Sequence, residues 1–263
     1  MPFTAKVITT TQWGARDAIE DSFDLTRPMY IVIHNTGDPN PPRDRSKGTL
    51  LGAKQLARET QAFHMDVRGW SDSGHNFINT TSGLLLEGRH GTLNAVRKGF
   101  CVRSAHAAQQ GDRLARGNES PGIENEGNFM TAKMGQKQWD SLVELCGSLC
   151  SSCGVSPENI RGHRDFSNTD CPGDWLYAQI PQLQQEVATK LGISISVGVL
   201  KMGDKGIMVK QLQTKLKEKG FDPGTIDSIF GEMTRIAVIA FQTSKNIPAD
   251  GIVGEKTRKL LGL

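Results

Sequence analysis

TRPMYIVIHNTGD, residues 26–38, is the stretch on which the fold turns. Tyr30, Ile31, Val32 and Ile33 form an uncharged, β-rich run, and His34 follows it directly, ahead of a glycine-containing turn. A buried strand ending in a histidine lets a rigid backbone aim that side chain into a cleft. Working outward, GHNFIN (74–79) and LLLEG (84–88) are separated by TTSG, a hairpin signal, and GIENEG (122–127) is short enough for a further strand. Ala53, Leu56, Ala57, Thr60 and Phe63 recur at helical spacing, as do Trp139, Leu142, Val143, Cys146, Leu149, Cys150 and Cys153. Strands interspersed with amphipathic helices predict an α/β body over residues 1–191, a mixed central sheet flanked by helices.

The C-terminal end reads differently. DSIFGEMTR (227–235) recurs as DGIVGEKTR (250–258), an offset of 23 residues with Asp, Ile, Gly, Glu, Thr and Arg in common. Apolar helical patterns precede both copies: Val209, Leu212 and Leu216, then Ile236, Val238, Ile239 and Phe241. Asp, a glycine turn and then Thr suit a loop that caps the next helix. Residues 200–263 therefore read as a small all-α unit of three helices, joined to the body by a linker at 192–199 (ISISVGV covers 193–199). This unit holds 11 Lys+Arg against 7 Asp+Glu, a bias that suits an anionic polymer such as a cell wall.

Composition narrows the function classes. The 263 residues are 37% hydrophobic and 22% charged, which is ordinary for a folded protein and excludes global disorder. No stretch approaches the roughly 20 apolar residues of a membrane span. The N-terminus shows no basic segment followed by an apolar run, so no secretory signal is visible. A net charge of +3 does not argue for nucleic acid. Five cysteines are an odd number, so at least one is expected to be free or to bind a metal.

Chemistry-bearing residues gather around a few positions. His34, His163 and Cys171, the last in HRDFSNTDCPG (163–173), would make a zinc site with three protein ligands and an open fourth position, the arrangement of catalytic rather than structural zinc. The alternative is two unrelated histidines and a small buried thiol, and spacing does not decide between them. Glu124 and Glu126 alternate along one strand, so either could face the cleft as a general base, or both could lie on an exposed strand face. Cys146, Cys150 and Cys153 have the C-x3-C-x2-C spacing of some iron–sulfur sites. They lie within one continuous apolar helical pattern, which reads as core packing, with a disulfide to Cys101 as the remaining option.

These segments resemble the zinc-dependent N-acetylmuramoyl-L-alanine amidases and the related peptidoglycan recognition proteins. The resemblance runs through WGAR (13–16), IVIHNTG (31–37), FHMDVRGWSDSGHNFIN (63–79), LLLEGR (84–89), SAHAA (104–108), GIENEGNF (122–129) and HRDFSNTDCPG, in that order. Residues 200–263 separately resemble small peptidoglycan-binding domains through LQTKL (212–216) and the two repeated loops. The resemblance implies one Zn2+ per chain on His34, His163 and Cys171, and a retained Cys171 argues for an enzyme over a binder. It implies Glu124 as the base. His75 stands where one branch has a tyrosine, and Thr169 stands two residues before the ligand cysteine; one of these two would stabilise the oxyanion. Gly69 and Trp70 imply a stem peptide containing meso-diaminopimelate. His64, Arg68 and Arg89 fall near that peptide, and His106 along the groove.

The implied partner is peptidoglycan, with no nucleic acid, no membrane insertion and no obligate protein partner. The implied place of action is the wall, periplasmic or extracellular. An amidase joined to a binding unit resembles a phage endolysin, and a processed bacterial enzyme has the same layout. The alternative function is a peptidoglycan recognition protein that does not cleave.

Overall fold

In the computed structural model the apolar run at 31–33 lies inside a six-stranded sheet; the structure describes residues 2–20, 23–37, 46–195, 199–204 and 207–263, so positions 196–198 of the expected linker lie outside the described residues. The strands are β1 (Val7–Ile8), β2 (Leu25–Thr26), β3 (Ile31–Asn35), β4 (Phe77–Asn79), β5 (Leu85–Glu87), β6 (Cys101–Val102), β7 (Gly122–Asn125) and β8 (Ile160–Gly162). The main sheet has the order β1-β5-β4-β7-β3-β8, and β2 pairs with β6 apart from it. β4 and β5 form the antiparallel hairpin expected across TTSG, whereas β7, β3 and β8 run parallel. The fold is thus the expected mixed sheet with helices against it, and the chain divides into two compact units, Met1–Ile193 and Ser194–Leu263.

The helices of the first unit are α1 (Thr10–Trp13), α2 (Leu50–Ala62), α3 (Thr92–Arg97), α4 (Gln136–Cys153) and α5 (Asp174–Leu191). Side chains alternate across β3. Ile31 and Ile33 join Phe77, Ile123 and Ile160 in a core closed by Leu142, Leu145 and Leu149 of α4 and Leu183 and Val187 of α5. Val32 points the other way, against Ala107 and Phe166, while Ile78 and Leu86 on the neighbouring strands are covered by Trp13 and by Ala53, Leu56 and Ala57 of α2. Cys146 and Cys150 are buried in the α4 core, and no disulfide links the described cysteines.

The pattern expected for the first helix fails at its end. Phe63, read as part of the buried stripe, is 46% exposed. α2 runs on into one π-helical turn, Phe63–Val67, and the wider turn passes the inward position to His64 and Met65. His90 partners a buried carboxylate. Asp72 is fully buried; Oδ1 accepts from Gln61 Nε2 (2.8 Å) and Ser73 N–H (2.7 Å), and Oδ2 from His90 N–H (2.8 Å) and its ring Nδ1 (2.9 Å). Burial works against the Asp72 charge, but these hydrogen bonds outweigh it and hold the carboxyl low, while Asp72 raises the pKa of His90.

The second unit contains α6 (Ile207–Glu218), α7 (Glu232–Ser244) and α8 (Glu255–Leu261) around Leu200, Val209, Leu212, Leu216, Phe230, Val238, Phe241 and Val253. Ile236 is 48% exposed, and Ala237 takes the inward place in its stead. A buried glutamine fastens each repeated loop. Gln242 donates to Asp250 Oδ1 (3.0 Å), Ile252 C=O (2.8 Å) and Thr257 Oγ1 (3.2 Å) and accepts from Gly251 N–H (2.9 Å). Gln213 does the same for Asp227, Ile229, Thr234 and Ser228.

Two expectations follow. Raising the pKa of His90 means the ring's contribution is complete below its ordinary pKa, about 6.5, and fades as pH rises through the raised value. The Tm advantage of the wild type over His90→Gln therefore shrinks from mildly acidic to mildly alkaline pH in thermal melts; a constant gap would contradict the pairing. Gln242→Ala strands several buried polar groups and costs about 2–4 kcal/mol. A unit this small holds only roughly 4–10 kcal/mol. Amide exchange at Gly251 should accelerate accordingly.

Candidate functional site

His34 is the fourth residue of β3, and parallel register with β7 sets it opposite Glu124. On the other side, Ile33 pairs with Gly162, so β8 delivers His163 to the same level. Cys171 reaches the place from the loop before α5. One ligand atom from each of His34, His163 and Cys171 lies within 4.8 Å of the others, a trio that could hold a metal ion. His34 Nδ1 is the nitrogen that faces Cys171 Sγ, at 3.7 Å.

The loop carrying His163 and Cys171 is fastened to itself. Arg164 N–H donates to Cys171 C=O (3.1 Å), and the Arg164 guanidinium lies over the Tyr177 ring, binding Asp174 Oδ1 (2.9 Å) and the Asp170 carbonyl. Tyr177 OH donates to Asp165 Oδ1 (2.6 Å), whose other oxygen accepts from Gly162 N–H (2.9 Å). Thr169 Oγ1 accepts from Cys171 N–H at 3.2 Å, which fixes this half-buried hydroxyl against the Cys171 backbone.

Five of the six histidines adjoin one another. Ring centroids of His34 lie 4.5 Å from His163, 4.6 Å from His75 and 4.8 Å from His106, and His64 lies 5.4 Å from His75. Burial, with repulsion from neighbouring rings, holds His34 and His106 well below the ordinary imidazole pKa and lowers His64 and His163 to about 4. These four rings are neutral at pH 7 and keep lone pairs for a metal or a donor. Burial pushes the Cys171 thiol up, with Glu124 adding to the shift.

Glu124 is buried, and its Oε2 lies 2.7 Å from His75 Nε2. Burial works against its charge, but the His75 charge and hydrogen bond, with His64 and His163 behind them, keep the carboxyl below its ordinary value. His75 Nδ1 is buried without a partner. Glu126 separates from Glu124: it is fully buried under a loop, accepting from Ser46 N–H (2.7 Å), Ser46 Oγ (2.8 Å) and Thr81 N–H (2.9 Å).

The remaining expected positions divide into two groups. Trp70 is half-buried, stacked on His64 at 4.9 Å, and a Cβ on Gly74 would come within 2.3 Å of its ring, so the indole packs closely against that glycine. Gly69 makes the exposed turn before it with φ +69°, and Arg68 is exposed with its guanidinium over Phe63. Arg89 and His106 are committed inside the protein. Arg89 donates to the carbonyls of Ser73 and Arg103, both at 2.9 Å, and stacks on Phe23. His106 is buried with both ring nitrogens in hydrogen bonds, to His34 and to Ser120 C=O. Arg89, expected near the peptide, and His106, expected along the groove, are each 5% exposed. Sequence reasoning missed Asp72, Asn76 and Ser120, whose only signal is their place inside or beside the motifs. Asn76 bridges Gly122 N–H and Val102 C=O.

Residues 24–174 match the model of the N-acetylmuramoyl-L-alanine amidase family, and residues 205–261 match a peptidoglycan binding domain. The chain is 29% identical over 175 residues to peptidoglycan-recognition protein SC2 of Drosophila melanogaster, covering 66% of this chain and 84% of that protein. It is 34% identical over 139 residues to the "Probable N-acetylmuramoyl-L-alanine amidase" of Bacillus licheniformis, covering 46% of this chain and 39% of the other. A solved Drosophila PGRP-LB mutant in complex with tracheal cytotoxin aligns with TM-score 0.52 and 26% identity, over 66% of this chain and 92% of its own. With the amidase model spanning more than half of its length, the chain belongs to the N-acetylmuramoyl-L-alanine amidase family.

Proposed function

We propose that this chain is a zinc-dependent peptidoglycan hydrolase that cleaves the amide between the lactyl group of N-acetylmuramic acid and L-alanine, on stem peptides carrying meso-diaminopimelate, at the cell wall. The observation that carries the reading is the convergence of His34, His163 and Cys171 beside the Glu124–His75 pair. Two imidazole nitrogens and one sulfur are a donor set suited to zinc, and these three residues would hold one ion. Bound there, zinc supplies Lewis-acid polarisation and makes hydroxide available near neutral pH.

The protein's own groups divide the remaining work. Glu124, ionised, takes the proton of the attacking water and returns it to the leaving amine of alanine. His75 orients that carboxylate through its 2.7 Å contact. His64 accepts from Gly74 N–H at Nδ1 (3.0 Å), so its proton sits on Nε2, a donor for a substrate carbonyl. The Thr169 oxygen is engaged by Cys171 N–H, which leaves the hydroxyl hydrogen for the developing oxyanion. With Arg89 committed internally, Arg68 is the arginine left to hold the extra diaminopimelate carboxylate, beside Gly69 and Trp70. The C-terminal unit binds the wall and raises local substrate concentration.

Recognition without cleavage is the second reading. It is favoured by His75 standing in the place of a tyrosine and by a relative named as a recognition protein. Mass spectrometry of diaminopimelate-type sacculi separates the two: free stem peptides beginning with L-alanine, lost with a chelator and restored by zinc, support the amidase. Intact muropeptides on sedimenting protein would support recognition. Glu124→Gln should keep its zinc and lose a factor on the order of 10² or more in hydrolysis, whereas Cys171→Ser should lose both. Deleting residues 194–263 should weaken sedimentation with the wall and spare hydrolysis of small soluble muropeptides; loss of both would place the tail in the active site.

A further inference from the structure

Behind His34 a chain of hydrogen bonds ends on a main-chain carbonyl. Ser120 is fully buried and pinned by its N–H to Gly117 C=O (3.0 Å) and by its hydroxyl, which donates to Arg116 C=O (3.0 Å) and whose oxygen accepts from Tyr30 N–H (3.3 Å). Its own C=O lies 3.0 Å from His106 Nε2. A carbonyl only accepts, so this nitrogen carries the proton, and Nδ1 of the neutral ring keeps its lone pair. That lone pair meets His34 Nε2 at 2.9 Å, which must therefore be the protonated nitrogen of His34. His34 Nδ1, the atom facing Cys171 Sγ, is left as a lone pair.

We infer that His106, anchored by the Ser120 carbonyl, locks His34 in the Nε2–H tautomer that presents Nδ1 to the metal, and so acts as a positioning residue for metal uptake rather than a contact for substrate. The inference rests on the zinc reading above. The room for this ring comes from Gly122, the first residue of β7: a Cβ there would lie 2.5 Å from His106 Cδ2 and Nε2. Metal-bound histidines commonly donate their second N–H to an acceptor, and loss of that acceptor costs about 10–100-fold in metal affinity. Here the acceptor is a second imidazole, itself oriented by backbone.

The test uses the full-length chain and zinc as the probe. In the metal-free wild type, long-range 1H–15N spectra of the imidazoles should show a protonated Nε2 and a bare Nδ1 on both His34 and His106. A protonated Nδ1 on His34 would overturn the inference, and this reading needs no variant to fold. In competition with a chelator, His106→Phe should bind zinc about 10–100-fold more weakly, with His34 in mixed tautomers. His106→Gln, which can accept and donate at once, should recover part of that loss. Wild-type affinity in His106→Phe, or no recovery in His106→Gln relative to it, would overturn the inference alone. No zinc bound by the wild type would overturn the metal reading itself.

Discussion

Parallel pairing of β3 with its two neighbours is the constraint on which the site depends. His34 stands opposite Glu124 of β7 and level with the end of β8 that feeds into His163. Side chains alternate along a strand, so a slip of one residue would turn His34 into the Leu142–Leu183 core and bring Ile33 into the cleft. The burial of Ile31 and Ile33 on one face prevents that slip. Core packing therefore holds His34, Glu124 and His163 at one level near the C-terminal ends of parallel strands, where open α/β sheets place ligands, and Cys171 joins them from the loop before α5.

Single buried polar side chains then fasten the irregular segments around that frame. Asp72 ties α2 to the segment carrying His75 and on to His90. Glu87 accepts from Thr10 N–H (3.2 Å) and Leu93 N–H (2.8 Å), and Glu126 holds the stretches at Ser46 and Thr81. Each carboxylate accepts from main-chain donors, and Asp72 from the His90 ring as well, so these buried oxygens are satisfied. Gln213 and Gln242 do the same for the second unit with a neutral amide. Loops that bury little apolar area thereby acquire definite positions.

Much of this was legible in the sequence because it depends on residue type and period. The strand before His34, the hairpin across TTSG and the cysteine-bearing helix α4 all follow from apolar patterning, and the spatial trio coincides with the three residues singled out for zinc. Patterning failed where local geometry departs from its period, as at the π turn that exposes Phe63. It also failed where a buried position goes to a small residue, as at Ala237 beside exposed Ile236. The 23-residue repeat revealed both loops but not their glutamines, which are 29 residues apart, because Gln213 sits farther ahead of its loop than Gln242 does. Arg89 was placed near the peptide and His106 along the groove from their position in motifs, and both side chains are buried. Motif membership does not say whether a polar group points at substrate or at the backbone behind it.

That distinction decides how the histidine cluster works. Four rings with lowered pKa values share one cluster, His106 and His163 lying 4.8 and 4.5 Å from His34 and His64 joining through His75, and among so many buried rings added positive charge would be repelled. Neutral imidazoles differ only in which nitrogen carries the proton. At both ends of the cluster a main-chain group makes that choice: Gly74 N–H donates to His64 Nδ1 and forces a donor at Nε2, and Ser120 C=O accepts from His106 Nε2 and forces an acceptor at Nδ1. The first places a hydrogen where a carbonyl can be met. The second, passed on through His34, leaves a lone pair where a metal can be met. Donor and ligand are thus assigned before anything binds, by backbone atoms whose positions follow from strand pairing and tight turns. The specificity of the site for its chemistry then lies as much in Gly74, Ser120 and Gly122 as in the histidines themselves.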